Sequence, residues 1–354
     1  MKRLAIVLLL ILTPVGPVAA QMQPRAIRVA MCFRSLTLAA APFAVAMRLG
    51  WFASAGIDVE LVPLPGSLEC VKDLAAGHVD FTLASIEPLA MLRSEGLRAK
   101  NFYTAYQGNI FGLMVAAESP IKTIADLKGK RIGVATMASS GVVVARALVA
   151  DHGMDPDRDI SFVLAGDSRE SAALLRSNQI DALSQFDTHY AGLENMGLKL
   201  RPLDNEKIAR FPSNGLITLE RTLETQRTDA VALARGYAMG TIFSIHNPDA
   251  AIRILYEVLP QTRPVGKDET SAIRDDVAVL KVRSRNWRLE AGGVTKWGES
   301  SQENYAAYVD FLVKWGILRQ KADVRDLVTL DLIDEINDFN PQDIVTLAKE
   351  YAVD

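Results

Sequence analysis

The side chains best suited to hold a small solute sit in short polar turns. One group comprises Arg34, Ser35, Ser67, Ser85 and Glu87. A second comprises Thr136, Ser139, Ser140, Gly141, Asp167, Phe186 and Asp187, with Gln185 beside them. Gln107, Asn109 and Asn214, where the chain is expected to cross between two halves, complete the candidate ligand-binding set. Hydroxyls, amides and carboxylates in such turns can hydrogen-bond a polar ligand. Arg34 offers a planar cationic fork suited to a carboxylate or sulfonate; a surface ion pair is its rival reading. Ser139-Ser140-Gly141 opens a helix whose free N–H groups and dipole favour an anionic group. Plain helix capping by these serines is compatible with that role.

The familiar catalytic motifs are mostly absent. The chain has no GxGxxG, no GxxxxGK(S/T) phosphate loop and no GxSxG elbow. Its four histidines, His78, His152, His189 and His246, share no metal-ligand spacing with one another or with cysteine. Only His189 falls near an expected cleft turn. Asp80 and Asp181 could pass for a carboxylate pair, but both stand at strand starts, in different halves, and read as structural. No catalytic residue, metal ligand or cofactor is expected.

The elements that must position these turns show an internal repeat. Asp58 to Glu87 overlays Asp159 to Thr188 without a gap, pairing Asp58 with Asp159, Val62 with Val163 and Ser67 with Ser168. Glu69 falls on Glu170, Leu74 on Leu175 and Asp80 on Asp181. Each copy reads as a β-branched strand, a turn, a short helix and a second strand. Ser67 and Ser168 are expected helix caps, with Glu69 and Glu170 in the positive first turn. The repeat implies two similar α/β lobes and therefore a cleft, with ligands at the C-terminal ends of the strands.

Around this repeat the chain reads as follows. Ile27 to Met31 is a strand, and Pro42 opens a helix with Phe43, Met47 and Trp51 on its apolar face. Asn101 to Tyr106 and Phe111 to Ala116 are strands flanking the first crossing. Asp204 to Asn214 carries the chain back to a strand at Gly215 to Leu219. The remainder is mostly helical: one stripe holds Val231, Ala234, Ala238, Ile242 and Ile245, and Asn247-Pro248 caps the next helix. Ser300 with Glu303 makes a capping box for a helix carrying Tyr305, Tyr308, Leu312 and Trp315 against lobe one.

Length and composition agree with this plan. The 354 residues, 49% hydrophobic and 23% charged, suit two ordinary globular domains. Lys2 and Arg3, the apolar run Leu4 to Leu12 and Val18-Ala19-Ala20 make a secretory signal peptide over residues 1–20, cleaved after Ala20. The run is too short to span a bilayer. Losing Lys2 and Arg3 lowers the formal charge from −3 to −5, which gives no electrostatic reason to bind nucleic acid. Cys32 and Cys70 remain in a compartment that permits a disulfide; two buried free thiols is the preferred reading.

The chain resembles the type II periplasmic solute-binding proteins of ABC transporters, in the branch that binds sulfonates, taurine, nitrate and the thiamine pyrimidine precursor. The resemblance rests on Leu49-Gly50-Trp51-Phe52 with Ala55 to Glu60, Ala76 to Phe81, Ile121-Lys122-Thr123 with Asp126 to Val134, Gln179 to Ala182, Trp297 and the Tyr305 to Leu318 helix. It implies an α/β fold of two lobes, each a mixed sheet flanked by helices, that closes on ligand about hinges near Gln107 and Asn214. Residues 21–106 with 213–354 form lobe one and residues 107–212 lobe two. The implied protein is a periplasmic monomer that delivers a small organic solute, favoured as anionic, to an inner-membrane permease. Binding or biosynthesis of the thiamine pyrimidine, the latter an enzyme's role, and an exported receptor for a sensor are the alternatives. The Cys-rich motif of the fungal biosynthetic relatives is missing, which weakens the enzyme reading.

Overall fold

The computed structural model describes residues 23–352; the expected signal peptide lies outside them. Ten strands form two separate sheets of five. The first contains β1 (Arg25–Met31), β2 (Ile57–Pro63), β3 (Phe81–Ser85), β4 (Ala99–Thr104) and β10 (Asn214–Leu219), in the order β2-β1-β3-β10-β4. The second contains β5 (Phe111–Ala116), β6 (Lys130–Val134), β7 (Ile160–Leu164), β8 (Ala182–Phe186) and β9 (Leu200–Pro202), in the order β7-β6-β8-β5-β9. In each sheet three parallel strands are followed by an antiparallel fourth. The two orders match position for position.

The copies of the repeat fall in different sheets. The first supplies β2, the helix Ser67–Ala76 and β3; the second supplies β7, the helix Ser168–Arg176 and β8. Their shared aspartates do the same job in both. Asp80 accepts a hydrogen bond from the Arg28 backbone N–H at 2.8 Å, and Asp181 accepts one from the Arg131 N–H at 2.9 Å. β3 is buried along its whole length, as a central strand covered on both faces should be. The chain leaves the first sheet after Thr104 and returns to it at Asn214, so the fourth strand of each sheet is reached by a crossing.

Several local expectations move by a residue or two. The helix opened by Pro42 stops at Arg48, because Gly50 turns left-handed (φ 73°) and Trp51 begins a separate short helix. Ser67 and Ser168 are not the caps: Gly66 and Asp167 hold those positions. Asp167 accepts from the N–H groups of Arg169 and Glu170 at 2.8 and 3.0 Å, and Glu170 returns the bond to complete a capping box. Gly66 is needed because any β-carbon there would press on the Ala138 carbonyl of the other lobe. Ser301, not Ser300, caps the helix Gln302–Lys314; the Ser300 hydroxyl instead bonds Thr104 at 2.6 Å. Cys32 and Cys70 are joined as a disulfide, Cα atoms 5.9 Å apart, which corrects the free-thiol reading.

The C-terminal helices complete the core. Arg227–His246 buries the expected Val231, Ala234, Ala238 and Ile242, and also Leu233, Tyr237 and Phe243 from its other sides. Phe43 meets the Tyr237 ring at 4.7 Å between centroids. Asn247 caps the helix Pro248–Val258 through the Ala250 N–H. The helix Glu269–Trp287 packs on Pro248–Val258 and on Asp187–Asn195, so it touches the first half of the molecule and the second. No helix among the described residues is long and apolar enough to cross a membrane.

Candidate functional site

A cavity lies where the strand ends of the two sheets face each other. Ser35 and Ser67 from the first half and Thr136, Ser139, Ser140 and Phe186 from the second line it, with Asn214 at the return crossing. Seven of the residues chosen from sequence therefore share one wall. Ser139 caps the helix Ser140–Asp151 by accepting from the Gly141 N–H at 3.2 Å, so that helix begins at the cavity. Gly141 itself is structural, since a β-carbon there would collide with the Ser184 carbonyl.

Aromatic side chains fill much of the remaining wall. Phe33 and Phe186 meet edge to face across the cleft, 5.6 Å between centroids at 84°, and Phe111 meets Phe186 at 6.4 Å and 85°. Rings in these geometries gain electrostatic attraction as well as burial. Tyr106 is buried and lines the cavity, with the Arg283 guanidinium carbon 4.3 Å from its ring centroid, a cation–π distance. Burial raises the Tyr106 pKa, so this hydroxyl stays neutral.

The two halves touch along both edges of the cleft. On one side Thr136 donates to the Pro65 carbonyl at 2.5 Å, and the Ser85 and Ser140 hydroxyls hydrogen-bond each other. Behind them Glu87 is fully buried and accepts from the Tyr308 hydroxyl, while its Oε2 has no partner. Burial raises its pKa against the opposing pull of the Ser85, Tyr308 and Ser140 hydroxyls. On the other side Arg283, only 2% exposed, donates to Asp187 at 2.5 Å, and Asn286 donates to the other oxygen at 3.0 Å. Burial works against the Arg283 charge, but its neighbours, Asp187 foremost with Tyr106 and Tyr237, outweigh that and its pKa is raised.

Other candidates stand elsewhere. Arg34 is exposed, outside the cavity wall, and forms no ion pair among the described residues. Gln107 is buried but spends its amide on the Thr104 and Glu299 carbonyls, at 3.1 and 2.9 Å. Asn109 accepts from the Phe111 N–H at 3.0 Å; both fasten the first crossing. Asp167 is an exposed cap, and Ser85, Glu87 and Asp187 brace the wall from behind or from the side. His189 lies off the wall, bonded to Ser171 at 3.1 Å, and burial lowers its pKa to about 3.

Sequence reasoning passed over Arg283, Tyr106 and Phe111. Arg283 carried a readable signal: it lies three residues after Leu280 and four before Trp287, on the stripe that the helix buries. A charge on an apolar stripe is rarely left unpaired.

The comparisons with known proteins agree with this architecture. The NMT1/THI5-like family model matches residues 38–251, more than half of the chain. The riboflavin-binding protein RibY of Chloroflexus aurantiacus is 21% identical over 331 residues, covering 91% of this chain and 92% of that protein. A putative aliphatic sulfonates-binding protein of Bacillus subtilis is 23% identical over 273 residues, covering 72% and 80%. Among solved structures, the alkanesulfonate-binding protein SsuA from Xanthomonas axonopodis pv. citri, bound to MOPS, aligns with a TM-score of 0.64 at 16% identity over 87% of this chain and 99% of that one. The periplasmic nitrate-binding protein NrtA from Synechocystis aligns at 0.63 and 13% identity over 93% and 99%. The fold is that of the two-lobed type II periplasmic binding proteins, and the chain belongs to the NMT1/THI5-like family.

Proposed function

We propose that this chain is the periplasmic substrate-binding protein of an ABC importer, which closes its lobes on a small organic solute and hands it to a membrane permease. In this reading residues 21–106 and 213–354 move as one lobe and 107–212 as the other, as a monomer without cofactor. The observation that carries the proposal is the cavity wall: it draws on both halves and combines aromatic rings with hydroxyl and amide groups. Apolar concave sites with a few convergent polar groups are the usual form of small-molecule sites.

The charges of the wall bear on the ligand. Among the described residues its one cation, Arg283, already has a carboxylate partner, and Arg34 is exposed outside the lining. This supports a flat aromatic or heteroaromatic solute without a strong acid ahead of the sulfonate or carboxylate that Arg34 suggested. RibY and the sulfonate-binding relatives represent the two classes. A binding role fits better than catalysis: the Ser67 and Ser139 hydroxyls accept from backbone N–H groups, Ser140 bonds the Ser85 hydroxyl, and His189 stands off the wall on Ser171.

Titration of the purified protein with riboflavin, the thiamine pyrimidine precursor and ethanesulfonate tests this reading. One of the two aromatic compounds should saturate the tryptophan fluorescence change and raise Tm, by RT ln(1 + [L]/Kd) in free energy, about 2.7 kcal/mol at 100 Kd. A protein that responds to none of the three overturns it.

A further inference from the structure

The guanidinium in the cleft is already occupied. Arg283 Nη2 donates to Asp187 Oδ1 at 2.5 Å and reaches Thr188 Oγ1 at 3.4 Å, and its Nε has no hydrogen-bond partner. Asp187 is fixed in its turn. Its Oδ1 also accepts the Thr188 N–H at 2.7 Å, and its Oδ2 accepts from Asn286 at 3.0 Å. Its own N–H donates to the Ile110 carbonyl at 2.9 Å. Phe186, Thr188, Ile110 and Arg283 all line the cavity, so the pair's cation belongs to the wall and its carboxylate stands directly beside it.

A buried guanidinium in a ligand cleft is the group to which a bound carboxylate or sulfonate would be expected to pair. Here a carboxylate of the protein's own holds that seat. We propose that Asp187 is a specificity-determining residue, a built-in counter-ion that withholds Arg283 from small ligand anions and so restricts the cleft to solutes without a strong acid. A second anion beside Asp187 would meet like charge in a desolvated setting and find no uncompensated cation. Removing the carboxylate leaves a buried, unpaired arginine with an open position beside it, a recipe for binding an oxyanion.

The inference rests on the cavity being the ligand site, but its test needs no knowledge of the natural ligand. Wild-type protein, Asp187→Ala, Asp187→Asn and Asp187→Ala/Arg283→Met are titrated with methanesulfonate and with acetate by calorimetry and thermal shift at low ionic strength. Wild type should show no saturable binding. Asp187→Ala should bind methanesulfonate saturably, with a Kd at least tenfold below the highest anion concentration at which wild type shows no binding, and gain Tm with added anion, and the Arg283→Met change should abolish both effects. Anion binding by wild type, or a folded Asp187→Ala with no gain, overturns the proposal. Should the alanine variant fail to fold, Asp187→Asn, which keeps the shape and loses the charge, must show the gain instead, and its absence there is equally decisive. Failure of wild type to bind riboflavin or the pyrimidine would count against the functional reading alone, since the gain of anion binding is read in a different protein.

Discussion

The guanidinium of Arg283 and the carboxylate of Asp187 join residues 96 apart in sequence at 2.5 Å, with side chains 3% and 11% exposed. They link the helix Glu269–Trp287 to the start of the helix Asp187–Asn195 beside the cleft. Breaking a buried pair by removing one partner is far more damaging than replacing both, because the survivor is left as an uncompensated charge. Arg283→Met should therefore cost about 3–5 kcal/mol, and Arg283→Met/Asp187→Leu should recover most of the loss. Urea unfolding followed by fluorescence measures both; equal destabilisation of single and double variants would contradict the pairing.

The disulfide ties the end of β1 to the helix Ser67–Ala76, and Cys32 and Ser67 both line the cavity. It closes a loop with a sequence separation of 38, for which loop-closure entropy gives about 4 kcal/mol. Cys32→Ser/Cys70→Ser should lower stability by about 2–4 kcal/mol. Adding a reductant should lower the Tm of the wild type and leave that of the variant unchanged.

Gly66 allows the halves to approach. Its φ is 135°, and a β-carbon would come within 2.7 Å of the Ala138 carbonyl carbon. Gly66→Ala should hold the lobes apart on that side, weakening the bonds from Thr136 to Pro65 and between Ser85 and Ser140. Small-angle scattering should report a larger radius of gyration for the variant than for wild type; an unchanged radius would argue that the contact is slack.

His189 makes an acid-sensitive element. Burial lowers its pKa from 6.5 to about 3, so the folded protein holds it neutral where an unfolded chain would protonate it. The sign follows: its contribution is fully present above pH 6.5 and is lost as pH falls from 6.5 toward about 3. His189→Gln should thus flatten the loss of stability over that interval relative to wild type. Parallel curves for the two proteins between pH 6.5 and 4 would refute it.

The repeat was the most legible part of the molecule, because matched strand, turn and helix signals at constant spacing report a local arrangement used twice. Asp80 and Asp181 even make the same backbone bond. What lay beyond reach was pairing at long range. Arg34 looked like the cleft cation because it follows a strand end, yet nothing in its neighbourhood says whether the side chain turns in or out. Arg283 drew no reading at all, one charge on a helix rich in them, and only the Leu280–Trp287 stripe marks it as inward. Of the serines, Ser35, Ser67, Ser139 and Ser140 line the cavity and Ser85 does not; the caps expected at Ser67 and Ser168 slipped by a residue, since Gly66 and Asp167 serve as well as serine there and local sequence does not choose between neighbours.

β4 touches its sheet only through β10, and β9 touches its own only through β5. The sheet partner of the edge strand β4 therefore lies more than a hundred residues downstream, while the second sheet draws all its strands from the stretch in between. A fragment ending before residue 214 would strand β4 without a neighbour. One sheet is thus nested within the other along the sequence, and the half that holds both ends of the described chain closes its sheet only through β10.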